Sequence, residues 1–237
     1  MVRKYKAGAF LAYFQSYTNT WAEPAELRGC FDEALAVADV VGLAVGTRPD
    51  CLAPEVLDLL ADYHRSTYFW LELGLQSIHD RTLEFIRRGH DYRTFLTAFS
   101  AAKECGLRVC VHVILGLPGE DRAMMLATAA AMARLRVDGI KVHLLHVIEG
   151  TPLARLFREG GVKILDQEEY VALAVDFLER LHPATLIHRL TGDGPREQLL
   201  APLWSLRKWE VINAIHDEFK RRDSRQGALC AANDVAP

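Results

Sequence analysis

The sequence predicts a parallel α/β fold that closes toward a barrel, and three observations carry that expectation. Short apolar runs recur at a fairly even stride, at Phe10–Gln15, Val40–Gly46, Phe69–Leu75, Arg108–Gly116, Ile140–Ile148 and Thr185–Leu190. They are apolar on both faces rather than alternating, as parallel strands covered by helices should be. Amphipathic segments fall between them, so strand-helix units repeat with right-handed crossovers. Polar or glycine-rich residues also gather at the carboxyl ends of successive runs: Gln15 to Asn19, Gly46 to Asp50, Gly74 to Ser77, Gly116 to Glu120 and His146 to Pro152. Strand ends facing one cavity are the way a barrel builds a site, with an open doubly wound sheet as the alternative.

The helices follow from local signals. Pro54 opens one in its first turn, on Val56, Leu57, Leu59, Leu60 and Tyr63. Asp91 caps the next, which carries Phe95, Leu96, Phe99 and Ala102 and stops at Gly106. Asp166 with Glu169 makes a capping box ahead of Leu173, Phe177 and Leu178. Near the end, Ile212, Ile215 and Phe219 form one stripe, with Lys220, Arg221 and Arg222 closing the helix. This helix reads as a solvated element packed over the barrel. Alternatively, Arg189, Arg196 and Trp204 cap an open mouth and meet substrate.

The chain of 237 residues is 50% hydrophobic, enough for a well-covered core. Its net charge of -3 argues against a general nucleic-acid surface. No apolar run is long enough to span a bilayer and the start lacks a signal-peptide core, so a cytoplasmic protein is expected. Cysteines at 30, 51, 105, 110 and 230 are scattered and odd in number, which fits a reducing compartment.

The segment Glu72-Leu73-Gly74-Leu75-Gln76-Ser77-Ile78-His79-Asp80, running on to Arg87-Arg88-Gly89-His90, is the most informative. Before it stands Gly46-Thr47-Arg48-Pro49-Asp50. After it come His112-Val113-Ile114-Leu115-Gly116-Leu117-Pro118-Gly119-Glu120 and His146-Val147-Ile148-Glu149-Gly150-Thr151-Pro152. In this order the motifs resemble those of the radical S-adenosylmethionine (SAM) enzymes, and in particular the YhcC-like branch, from about Tyr5 to about Trp209. The resemblance implies a partial (β/α)6 TIM-like barrel at residues 5–190, with a helical extension at 191–237 packing on or capping it. It also implies a [4Fe–4S] cluster and SAM, cleaved reductively to a 5′-deoxyadenosyl radical that abstracts hydrogen from an unknown substrate. An electron donor of the flavodoxin or ferredoxin type would serve the intact enzyme.

One departure matters. The family holds its cluster on C-x-x-x-C-x-x-C after the first barrel strand, and this chain has no such triplet. Phe10–Gln15 resembles the family's second strand, so the first strand and cluster loop are expected to be missing, by truncation or by loss in a degenerate relative. Cys105 and Cys110 have the wrong spacing to replace them.

By resemblance, Gln76 and Arg88 contact SAM, Arg88 through the carboxylate that a guanidinium fork matches. The bland alternative is an arginine favoured near a helix end. Ile114 packs on adenine beside Gly116, whose strand end allows close backbone approach, and Val147 belongs to the turn over the adenine edge. His112 shares the face of Ile114, as ligand contact or as a satisfied core residue. Ser16 and Thr18 stand where many relatives carry Gly-Gly-Glu. Thr47 remains available where Gly46 replaces a glutamate, and Arg48 with Asp50 can instead form a local ion pair. Glu72, a carboxylate in an apolar strand, requires a partner: Arg48, Lys141 or a ligand hydroxyl. His143 and His146 fall on opposite strand faces by their three-residue offset, so no metal site is expected. Two rivals stay open, a cluster-less SAM- or partner-binding remnant and a barrel hydrolase or aldolase using metal or Lys141.

Overall fold

The computed structural model describes residues 8–192 and 194–231; Tyr5, where the resemblance begins, lies outside them. The main sheet has strands β1 (Phe10–Phe14), β2 (Val40–Thr47), β3 (Tyr68–Gln76), β4 (Val109–Leu115), β5 (Gly139–Leu144) and β7 (Leu186–Arg189). Their order is β1-β2-β3-β4-β5-β7, so each strand lies beside its sequence predecessor in the sheet. A doubly wound sheet would reverse direction at a switch point; this order does not, as in a barrel. A second, two-stranded antiparallel ribbon pairs β6 (Val147–Ile148) with β8 (Leu199–Ala201). The run Ile140–Ile148 is therefore two strands in two sheets, because β5 ends at Leu144 and the chain turns before β6.

The described residues pack as two compact units, one of residues 8–75 and 90–111, the other of residues 76–89, 112–192 and 194–231. In the first unit β1 pairs with β2, and β2 with β3, all parallel. Gly42 is required there, since a Cβ would overlap the Tyr68 carbonyl of β3. Helices α1 (Pro24–Leu35) and α2 (Pro54–Ser66) belong to this unit, the latter opening at Pro54 as its sequence predicts. Phe31 of α1 is 1% exposed, edge-on to Phe14 at 5.0 Å and Tyr63 at 5.4 Å. Burying such a ring contributes roughly 1.5–3 kcal/mol.

The second unit holds α3 (Asp80–Phe85), α5 (Arg122–Arg134), α6 (Pro152–Arg158), α7 (Gln167–Arg180) and α8 (Lys208–Arg221). Helix α4 (Tyr92–Glu104) belongs to the first unit; its Asp91 cap accepts the Thr94 amide at 2.7 Å, and Gly106 follows with φ 76°. The Asp166–Glu169 capping box of α7 is present in both directions. On α8 the fully buried residues are Val211 and Ile215. Its basic end is more than a solvated face: Arg222 reaches Asp176 at 2.6 Å and Glu179 at 3.2 Å on α7. Among the described residues no helix is long and apolar enough to cross a membrane.

Candidate functional site

In the first unit, the ends of β1 and β2 are stitched together by short polar side chains. Asn19 donates through Nδ2 to the Phe14 carbonyl at 3.0 Å and the Gly46 carbonyl at 2.8 Å. The Thr47 hydroxyl lies 2.9 Å from that of Thr18 and 2.5 Å from that of Thr20, and the Arg48 amide donates to Thr18 Oγ1 at 3.1 Å. Thr18 and Thr47 are thus brought together, but their hydroxyls bond within the loop, and Thr47 is buried. Ser16 is exposed beside Tyr17, whose φ is 60°.

Glu72, 2% exposed on β3, accepts the Tyr13 hydroxyl at 2.8 Å. Arg48 does not serve it. The Arg48 guanidinium grips Asp50 with two contacts, at 2.9 and 2.5 Å, and this ion pair lowers the Asp50 carboxyl below its ordinary value. His90, at the end of the Arg-Arg-Gly-His run, bonds through Nε2 to the Gly74 carbonyl at 3.1 Å.

In the second unit the chain leaves β3 through Gln76, a half-buried residue with φ 77°. A side chain in that left-handed region costs roughly 1–3 kcal/mol, and such strain concentrates at functional sites. Ser77 is wholly buried, accepts the His79 amide at 3.0 Å and donates to Glu120 Oε1. This ties the end of β3 to the Gly-Leu-Pro-Gly-Glu turn after β4. Burial, the largest influence, raises the Glu120 carboxyl above its ordinary value, while the hydroxyls of Ser77 and Thr82 oppose it. Gly116 and Gly119 in that turn have φ of 83° and 84°, which explains glycine at both.

Arg88 is placed by a helix-ending motif. Arg87 takes φ 52°, its amide donating to the Glu84 carbonyl at 2.9 Å, while the Arg88 amide donates to the Leu83 carbonyl at 2.9 Å. These two bonds are the Schellman pattern, with an arginine where glycine is usual. Arg88 itself is half-buried.

His112 and Ile114 are both half-buried positions of β4, flanked by buried neighbours, so they share a face as the alternation predicts. The His112 ring lies 5.5 Å from that of His143 on β5. His143 and His146 do not diverge as expected. Because β5 stops at Leu144, strand alternation no longer applies at His146, and both imidazoles border Gly192, where a Cβ would sit 2.7 Å from His146 and 3.6 Å from His143. His146 Nε2 meets the Ser205 hydroxyl at 3.1 Å. Val147, expected in the turn over the adenine edge, is 0% exposed and clusters with Ala154 and Ala201, where β6 pairs with β8. The Ser77–Glu120 tie, the Tyr13–Glu72 bond and the His112–His143 pair escaped sequence reasoning, which had no distance information to bring them together.

The residues present can be weighed against the cofactors that the resemblance implies. Among the described residues, no group of three or more His, Cys, Asp or Glu side chains could hold a metal ion. Cys30 is exposed, Cys51 and Cys110 buried, and all five are free thiols. These residues do not fit an iron–sulfur cluster. For SAM the donor chemistry fits better, with a half-buried guanidinium at Arg88, a half-buried apolar side chain at Ile114 and glycines that open the backbone at Gly116.

Comparison with known proteins agrees with this architecture. The Radical SAM superfamily profile matches residues 20–132, and that of the Radical_SAM C-terminal domain matches residues 137–221. The uncharacterized protein YtqA of Bacillus subtilis (strain 168) is 48% identical over 227 residues, covering 96% of this chain and 70% of that protein. Protein YhcC of Escherichia coli (strain K12) is 43% identical over 224 residues, covering 94% and 72%. The archaeal Methanocaldococcus infernus Elp3 with an N-terminal deletion has a similar structure, with a TM-score of 0.79 at 18% identity, covering 95% of this chain and 57% of that one. The fold is thus the α/β partial barrel of the radical SAM type. The chain belongs to the radical SAM superfamily, and its relatives there include the YtqA and YhcC proteins.

Proposed function

We propose that this chain is the SAM-binding barrel portion of a radical SAM enzyme. The observation that carries the reading is the placement of Gln76 and Arg88: a strained left-handed residue ends β3, and a Schellman turn then sets Arg88. Superfamily membership and the Ser77–Glu120 tie support it. Arg88 would hold the SAM carboxylate, Ile114 would pack on adenine, and Gly116 would let the backbone approach. Gln76 and His112 would supply polar contacts. When bound beside a reduced cluster, SAM supplies the 5′-deoxyadenosyl radical in this superfamily. The described residues provide no cluster ligands, so SAM binding is the chemistry assigned to them.

Calorimetric titration with SAM tests the reading. The native chain should bind saturably, and Arg88→Met should weaken binding about tenfold or more, the loss expected for a hydrogen bond to a charged group. Equal affinity of the two proteins, or no binding by the native chain, sinks it. A second reading, a cluster-less SAM-binding protein, is favoured by the lack of a ligand set among the described residues. Reading the coding frame upstream of Met1 separates the two: an encoded strand with C-x-x-x-C-x-x-C supports the first, a stop codon with no such cysteines the second.

A further inference from the structure

The first unit holds a cleft of about 670 Å³ apart from the residues assigned to SAM, between the loop that follows β1 and the start of α2. Its lining mixes apolar side chains, Trp21, Leu52 and Val56 among them, with the carboxylates of Glu23, Glu26 and Asp50. Trp21 is 76% exposed, although tryptophan is highly buried on average. The loop that carries it is nonetheless fixed on both sides. The Thr20 hydroxyl lies 2.5 Å from the Cys51 carbonyl and 2.5 Å from the Thr47 hydroxyl, and Pro24 opens α1 just beyond. The indole is therefore displayed by a backbone already ordered, the condition under which an aromatic side chain anchors a partner at low entropic cost.

The charges around the cleft select its occupant. Asp50 is held by Arg48, but Glu23 and Glu26 have no ion-pair partner among the described residues. The two helices that start here offer an anion few donors. Pro24 and Pro54 have no N–H, and the amides of Glu26 and Leu27 already bond the Glu23 carbonyl at 3.0 and 3.1 Å. Those of Val56 and Leu57 likewise bond the Ala53 carbonyl, both at 3.0 Å. A phosphate would thus meet two carboxylates and little compensation, whereas a cation gains both carboxylates and an indole face. We propose that this cleft docks a segment of a partner protein bearing arginine or lysine, one such side chain lying over Trp21 with Glu23 and Glu26 as counter-charges. Arginine suits it best, because a flat guanidinium stacks on an indole and still pairs with a carboxylate. The surface is independent of the SAM reading, since no residue that lines it is assigned to SAM.

The test uses the full chain labelled with nitrogen-15, the Trp21 indole N–H signal assigned by its loss in Trp21→Ala. The probes are a capped peptide of alternating alanine and arginine, the same peptide with glutamate in place of arginine, and a thymidylate hexanucleotide. Saturable movement of the Trp21 signal by the arginine peptide alone is the expected result. In calorimetry, Trp21→Ala should weaken binding of that peptide about tenfold or more, as loss of an aromatic anchor does. Glu23→Gln combined with Glu26→Gln should also weaken it about tenfold. Glu33→Gln combined with Asp58→Asn removes as much charge from exposed positions outside the cleft and should change it by less than about twofold. Trp21, Glu23 and Glu26 are all exposed, so these variants should keep the fold, as circular dichroism can verify. No saturation, an equal response to the glutamate peptide, tighter binding of the hexanucleotide, unchanged binding by Trp21→Ala, or equal losses in the two charge variants overturns the proposal.

Discussion

Replacing His143 with glutamine should remove a pH dependence of stability that the wild-type fold builds in. Burial, first, and the basic groups around it push the His143 imidazole down from 6.5 to about 3. In the unfolded chain the ring takes up a proton near the ordinary value, whereas in the folded protein it does so only near the lowered one. Between those values the unfolded state holds more protons, so stability is complete above the ordinary value and is lost as pH falls through the window. For one such group, the loss between about pH 7 and about pH 5 amounts to roughly 2 kcal/mol, at ~1.4 kcal/mol per unit. Urea unfolding of both proteins in bis-tris chloride measures it. His143→Gln should lose about 2 kcal/mol less than wild type over that interval. Parallel stability curves for the two proteins would show that His143 titrates normally in the folded state and would refute this account of its burial.

Two further substitutions probe how the strand ends are held. Ser77→Ala removes the hydroxyl that donates to Glu120, and it should destabilise the fold by about 1–3 kcal/mol in chemical denaturation, the cost of leaving a buried acceptor short of a partner. Arg87→Gly puts the residue that tolerates φ 52° at the end of α3 and should raise stability by up to about 1 kcal/mol, read as a higher melting temperature. A lower melting temperature would mean that the Arg87 side chain makes a contact worth more than the backbone strain.

Much of this fold was legible along the chain because the signals that specify it are local. Apolar runs at six places become the six strands of the main sheet, and Pro54 in a first turn and the caps Asp91 and Asp166 open helices where they were expected. Capping and periodicity involve residues a few positions apart, which any reader of the chain can see. The ordered motifs likewise identified the superfamily. The run Ile140–Ile148 was misjudged because nothing in its apolar composition marks the break at Leu144, which is decided by the pairing of Val147 with Ala201.

The sequence by itself therefore determined the succession of strands and helices, the family and the lack of a C-x-x-x-C-x-x-C triplet. Only the tertiary structure decided which polar groups meet. Glu72 finds Tyr13 across 59 positions, Ser77 finds Glu120 across 43, and Arg222 finds Asp176 across 46. It also set His143 beside His112 and placed both His143 and His146 against Gly192. Those meetings depend on strand register and on where each strand ends. Both are settled by packing among segments distant in sequence, where a shift of one residue turns every side chain to the other face.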